Sequence, residues 1–217
     1  MPLTREQHVL YTRNEWKNGF YFTHILDILK TNKIKSMIDI GANVGEVTNI
    51  LLETIPELNE IHLFEPQKDN MNFLKQNILK NVTDKNVNYY QYGVFYGRKS
   101  ALMYQDPNYR NVGGFQVDVA RTSVDTKNSI AHFQPVEGEI ELKTLEEFNF
   151  IDIDFVKIDV ELSEYNIIEN SKFLQTVKFI DIEFHHLVEH VDYAKNYFPN
   201  HEIIISYDWH VFLKRKN

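Results

Sequence analysis

The sequence predicts an α/β domain built on a mostly parallel, doubly wound sheet with one reversed strand. Three observations carry this. An apolar strand, Met37–Ile40, runs into a turn punctuated by Gly41 and Gly45 and then into a helix. Further short apolar runs alternate with helix-period segments along the chain. The last two runs are separated only by Tyr207-Asp208-Trp209, a link too short for anything but an antiparallel hairpin.

Residues 15–32 place Trp16, Phe20, Ile25, Leu26 and Leu29 at helical spacing, which predicts one amphipathic helix covering a sheet face. Strand one is 36–40, followed by a helix from Val44 to about Thr54 that stops before Pro56. Strand two is 61–65. Pro66 then opens a helix through Met71, Phe73, Leu74 and Ile78, since proline lacks only an N–H that the first turn leaves unpaired. Strand three, about 87–92, leads into Gly93. From Lys99 to Leu142 the periodicity is poor, with strand-like pieces around 101–104, 115–119 and 139–142. A connection of that length usually marks function or an added β-element. Thr144-Leu145-Glu146-Glu147 has capping-box spacing and predicts a short helix. Strands four (155–159) and five (179–184) flank a helix near 163–171, and a helix around 187–197 precedes strands 202–206 and 210–214. Residues 1–217 are expected to form one domain, with 1–33 a helical cap and 99–142 an inserted substrate-side segment.

Composition narrows the function classes. Of 217 residues, 43% are hydrophobic and 13% aromatic, which suits a buried core and argues against disorder. The absence of cysteine excludes disulfides, a thiol nucleophile and a cysteine-ligated zinc. Met1–His8 lacks the apolar core of a signal peptide, and no apolar run approaches the ~20 residues of a membrane span, so a soluble cytoplasmic protein is expected. A net charge of −8 gives no general attraction to phosphate backbones and disfavours nucleic acid as partner.

The turn after strand one carries the chemistry. Gly41 and Gly45 let a ligand approach the backbone and the helix pack closely on the sheet. About two dozen residues on, Ile61-His62-Leu63-Phe64 ends in Glu65, a carboxylate placed at a strand tip to accept hydrogen bonds from two ribose hydroxyls. The glycine spacing lacks the third glycine of a dinucleotide fingerprint, Asn43 standing in its place, and no Lys-Ser or Lys-Thr follows as in a P-loop. Asp39 and Asn43 suit a ligand with a cationic amino-acid moiety, which points to S-adenosylmethionine; an ordinary tight turn without ligand is the bland alternative.

The run Ile38-Asp39-Ile40-Gly41-Ala42-Asn43-Val44-Gly45 resembles the first motif of class I S-adenosylmethionine-dependent methyltransferases. Val156-Lys157-Ile158-Asp159-Val160-Glu161-Leu162-Ser163-Glu164 resembles the Lys-Ile-Asp-Val-Glu-Gly-x-Glu signature of the FkbM family. Leu142-Lys143-Thr144-Leu145 fits that family's approach to strand four and Ile182-Glu183-Phe184-His185 its strand five, and the similarity spans roughly residues 34–190. It implies a Rossmann-like class I fold with seven strands in order 3-2-1-4-5-7-6, strand seven antiparallel. It also implies methyl transfer to a hydroxyl oxygen of a sugar, glycan or similar natural product. Leu162 stands where the family usually has glycine: either the backbone there is open to leucine, or the substrate approaches differently.

Methyl transfer from a sulfonium is an in-line displacement, so positioning supplies much of the acceleration, and a base near the hydroxyl proton helps. Asp39, Glu65, Asp159 and the pair Glu183 and His185 all fall at or near strand carboxyl ends, where α/β sheets bind ligands. Gly41, Ala42, Asn43 and Gly45 are expected to line the methionine side, Asp39 to order the turn or meet the ammonium, and Glu65 with Pro66 the ribose. Tyr92 and Gly93 are candidates for the adenine. Asp159 is the first candidate for general base or substrate orienter, against a carboxylate that merely tethers its loop. Glu161 shares its turn as a possible substrate ligand, and Glu164 does too, or simply starts a helix. His185 is the other candidate base. Asp159, Glu183 and His185 form an oxygen- and nitrogen-rich set for a divalent metal, although an acidic pocket without metal is the simpler reading. Tyr104, Tyr109, Phe115 and Phe133 around Gly113-Gly114 suggest a lid with stacking faces, or an apolar flap over the sheet edge. A methyltransferase of nucleic acid or protein, and a silent cofactor-binding partner, are the rival readings.

Overall fold

The computed structural model describes residues 4–78, 82–105, 115–117, 134–185 and 189–216. Its main sheet has seven strands: β1 (Ser36–Ile40), β2 (Glu60–Phe64), β3 (Asn86–Tyr90), β8 (Phe155–Ile158), β9 (Phe179–Glu183), β10 (His201–Tyr207) and β11 (His210–Arg215). They lie in the order β10-β11-β9-β8-β1-β2-β3, with β11 antiparallel to both neighbours and the other pairings parallel. This is the order 3-2-1-4-5-7-6 that the resemblance implied. The central strands are mostly apolar because helices cover both faces, and β1 is buried at all five positions, Ser36 and Asp39 included.

The single helix expected over 15–32 is two: α1 (Arg5–Asn18) and α2 (Phe20–Thr31), broken at Gly19. Gly19 is extended, and a Cβ there would lie 2.5 Å from the Glu15 carbonyl oxygen, so only glycine lets the chain turn this tightly. Helix α1 begins ten residues earlier than the apolar spacing indicates, because a Thr4–Gln7 capping box starts it. It docks on α3 (Glu46–Thr54) through Arg13, whose guanidinium grips the buried Glu46 at 2.5 Å and Glu53 bidentately at 2.9 Å.

Other boundaries move by one or two residues. Glu65 follows β2 rather than ending it, and the next helix, α4 (Lys68–Ile78), has the Gln67 side chain accepting from Asn70 N at its start. The chain leaves the main sheet after Tyr90, enters a second one at β4 (Gly93–Val94), and meets β5 (Ser100–Gln105), β6 (Phe115–Val117) and β7 (Gln134–Lys143) in the order β4-β7-β5-β6. The expected strand pieces of 99–142 therefore form an added sheet; Tyr109, Gly113, Gly114 and Phe133 lie outside the described residues. Thr144 and Glu147 make their capping box on a 3-10 turn, Leu145–Phe148. Helices α5 (Glu164–Asn170) and α6 (His190–Tyr197) complete the second face. Among the described residues no helix is long and apolar enough to cross a membrane.

Candidate active site

One cavity of about 460 Å³ opens at the carboxyl ends of β1, β2, β8 and β9, under α1. Its floor is the turn after β1. Gly41 and Ala42 both donate their N–H to the Phe64 carbonyl, tying the turn to β2. Gly41 has φ +83°, and a Cβ on it would sit 1.8 Å from the Asp159 carbonyl oxygen. The close approach that demands glycine is thus to the turn after β8, which Gly41 allows to lie directly against its own. Gly45, also at positive φ, leaves no room beyond the Leu74 and Ile78 side chains, each 3.0 Å from a built Cβ. It serves helix packing and does not border the cavity.

Asn43 takes φ +50°, a conformation asparagine tolerates better than most residues. Its N–H donates to Glu65 Oε2 at 2.9 Å, while Gln67 N donates to Oε1 at 2.9 Å. Each carboxylate oxygen keeps a lone pair after these bonds, which is what a ribose diol needs. Burial pushes the Glu65 carboxyl up to about 7 against the two backbone N–H bonds. The Asn43 side chain is held by His8 Nε2 at 2.9 Å and by Asn70 at 3.1 Å, which joins α1 to the floor. Ala42, Pro66 and Tyr92 border the cavity, as does Gly93, whose missing Cβ accommodates the Leu142 side chain 2.7 Å away.

Asp39 lies beneath the turn, fully buried and away from the cavity lining. Thr48 Oγ1 donates to its Oδ2 at 2.8 Å, and Lys157 Nζ lies 3.6 Å from its Oδ1. Burial raises its pKa, with Lys157 opposing. Asp39 thus ties β1 to α3 through Thr48 and does not face the cavity. Strand register places Asp39, Lys157 and Asp181 side by side on β1, β8 and β9. Tyr21 donates to Asp181 at 2.7 Å, and burial pushes that carboxyl up to about 7.

The opposite wall is an acidic corner made by the ends of β8 and β9. Lys157 Nζ is 3.1 Å from Asp159 Oδ2. Burial opposes the Asp159 charge, but Lys157 and then His185 outweigh it and hold the carboxyl below its usual range. Glu161 and Leu162 follow at φ +46° and +81°. Leu162 therefore occupies the backbone conformation that glycine favours, and being 2% exposed it is retained there by packing. The conformation is not one open to leucine; the chain carries the strain. Glu161 Oε2 lies 3.5 Å from His185 Nε2, and burial pushes Glu161 up to about 7. Glu183 is likewise raised by burial, and lies 3.7 Å from both His185 Nε2 and His210 Nε2. Glu164, fully buried, accepts from His185 N at 2.7 Å and sits 3.4 Å from its Nδ1. Burial opposes the charged imidazole, but these carboxylates prevail and push His185 up to about 10. Asp159, Glu183 and His185 each bring a ligand atom within 4.8 Å of the others, a set that could hold a divalent cation, although the Lys157 ammonium already supplies positive charge at Asp159.

The structure thus brings Gly41, Ala42, Asn43, Glu65, Pro66, Tyr92, Gly93, Asp159, Glu161 and His185 to one cavity, and leaves Asp39 and Gly45 behind it. Functional residues that the sequence does not single out are Lys157 on β8 and others on α1 and at the hairpin. His8, Tyr11, Glu15 and Trp16 form the roof, and Trp209 and His210 border the acidic corner. The Thr4-x-x-Gln7 pattern was the available signal for α1.

The sequence profile of the Methyltransferase FkbM domain matches residues 39–208. Methyltransferase FkbM from Methylobacillus flagellatus KT is similar over 85% of this chain at 18% identity, with a TM-score of 0.54; the chain spans 44% of that protein's length. A methyltransferase from Geobacter sulfurreducens is similar over 99% of this chain and 80% of its own, at 9% identity and a TM-score of 0.51. M. capricolum TrmK, solved with the cofactor product S-adenosyl-homocysteine, is similar over 91% of this chain and 68% of its own, at 11% identity and a TM-score of 0.50. No curated protein sequence matches the chain.

Proposed function

The chain belongs to the FkbM methyltransferase family, and from that premise we propose that it moves a methyl group from S-adenosylmethionine to a hydroxyl oxygen of a sugar or glycan. One observation supports the reading most: a single cavity is bordered both by a strand-tip carboxylate with two spare lone pairs, Glu65, and by a corner of carboxylates that can take up a proton. The residues fit the cofactor, since the cavity of about 460 Å³ is of ligand size and Glu65 is preset by two backbone N–H groups. Ala42, Asn43 and Glu65 with Pro66 would hold it, and Tyr92 would border the base. When bound, it supplies an electrophilic methyl on a sulfonium.

This chain's own residues position the acceptor and move its proton. Asp159 is kept ionised by Lys157, which makes it a firm hydrogen-bond acceptor but a weak base. It therefore orients the hydroxyl. Glu161, titrating near 7, is the better matched proton acceptor. His185 is an imidazolium at neutral pH, without a lone pair to give, and its charge 3.5 Å away favours the Glu161 carboxylate. Tritium-labelled methyl transfer to glycans, RNA and peptides tests the assignment. Label in glycans is expected, and label confined to RNA or peptide would contradict it.

A further inference from the structure

Trp209 is the least explained side chain at the cavity. It lies in the tight turn between β10 and β11, where Asp208 takes φ +49°. Its carbonyl accepts from Phe184 N at 2.8 Å, which pins the turn to the residue just after β9. The next residue, His210, reaches Glu183, so the turn is held beside the acidic corner. Yet Trp209 is 48% exposed while bordering the cavity, and its ring lies 6.4 Å from that of His190, tilted. Tyr11, 52% exposed, also borders the cavity from α1, with its hydroxyl donating to Glu15 at 2.7 Å. A half-exposed indole at the border of a ligand-sized cavity presents an aromatic face to whatever enters it.

We propose that the Trp209 indole is the platform on which the acceptor's ring stacks, and that the acceptor is a pyranose presenting one of its C–H faces, with a hydroxyl directed into the corner of Asp159 and Glu161. This deepens the methyl-transfer reading and rests on it. Trp209 is then a specificity-determining residue: it selects flat, partly apolar rings, while the proton chemistry belongs to the carboxylates beside it. The main-chain bond to Phe184 survives any substitution of the side chain, so the turn stays in place when the indole is removed.

The chain has two tryptophans, and Trp16 is 3% exposed, so Trp16→Phe leaves Trp209 as the only indole reporter. The Trp16→Phe protein, saturated with S-adenosylhomocysteine, is titrated with the methyl pyranosides of glucose, galactose, mannose and rhamnose, with sorbitol as an acyclic control. Because Trp16 itself borders the cavity, calorimetry of the unaltered chain against the same ligands accompanies the fluorescence titration and decides where the two differ. The expected result is a saturable blue shift with at least one pyranoside and none with sorbitol. Trp209→Ala should weaken that binding about tenfold, and Trp209→Phe should restore most of it, as expected from the area an aromatic face covers. No saturable response to any pyranoside, or an equal response to sorbitol, overturns the proposal. A blue shift that follows protein concentration without sugar places the indole between copies of the chain and overturns it as well. Failure of the chain to bind S-adenosylhomocysteine at all strikes the methyl-transfer reading instead, and calorimetry of that step separates the two.

Discussion

Replacing Lys157 with methionine tests the electrostatic support of the site. Lys157 is 6% exposed, 3.1 Å from Asp159 and 3.6 Å from Asp39. At an effective dielectric of about 20, each contact is worth roughly 5 kcal/mol of gross attraction, offset by the cost of burying the ammonium. Removing the ammonium alone leaves carboxylates uncompensated, which typically costs about 3–5 kcal/mol. The cost has a ceiling, because a carboxyl can take up a proton instead. With a reference pKa of about 3.9 and about 1.4 kcal/mol per unit, the ceiling is roughly 4 kcal/mol at pH 7 and roughly 1.5 kcal/mol at pH 5. The sign follows from linkage. In Lys157→Met the carboxyl's folded pKa is raised, so the folded state binds the extra proton, and the variant loses stability as pH rises between about 4 and the new pKa. Urea unfolding of both proteins at pH 5 and pH 7 measures the difference. A deficit that is equal at the two pH values, or below about 1 kcal/mol at pH 7, would show that Lys157 does not hold these carboxylates ionised.

Gly41→Ala should destabilise by at least about 3 kcal/mol or prevent folding, because its Cβ falls 1.8 Å from the Asp159 carbonyl oxygen at φ +83°; wild-type melting would contradict this. Leu162→Gly relieves about 1 kcal/mol of left-handed strain but gives up about 2–3 kcal/mol of burial, so a net loss of about 1–2 kcal/mol is expected in urea. A more stable variant would show that the strain dominates. Asp159→Asn should cut turnover at least a hundredfold while cofactor affinity stays within about threefold, and unchanged turnover would remove Asp159 from the chemistry. Because a base must be ionised to act, kcat/KM should rise with pH through about 7, where Glu161 titrates, and Glu161→Gln should flatten that limb.

The strands were legible because their signal is local: buried parallel strands read as apolar runs, and those runs fix β1, β2, β8 and β9 to within a residue or two. Glu65 was legible for the same reason, as the acid directly after such a run. Gly41 was legible as a close-approach glycine, but one of the groups it meets was not. Its partner, the Asp159 carbonyl, lies 118 residues further along and follows from β1 pairing with β8, which no local pattern records. The row of Asp39, Lys157 and Asp181 has the same origin. Helix α1 was invisible to apolar spacing because it presents only His8 and Trp16 as buried residues; its cap, not its stripe, marks it. Trp209 was read as part of a turn, since nothing nearby in sequence says that β11 returns beside β9 and carries the turn to the acidic corner.

The central claim, that Glu65 and the turn after β1 hold an adenosyl group, is tested most directly by calorimetry with S-adenosylhomocysteine. One site per chain is expected, and Glu65→Ala should weaken binding at least tenfold through loss of charge-assisted hydrogen bonds worth ~1.5–3 kcal/mol. Undiminished affinity in Glu65→Ala, or binding of nicotinamide dinucleotides in place of S-adenosylhomocysteine, would contradict it.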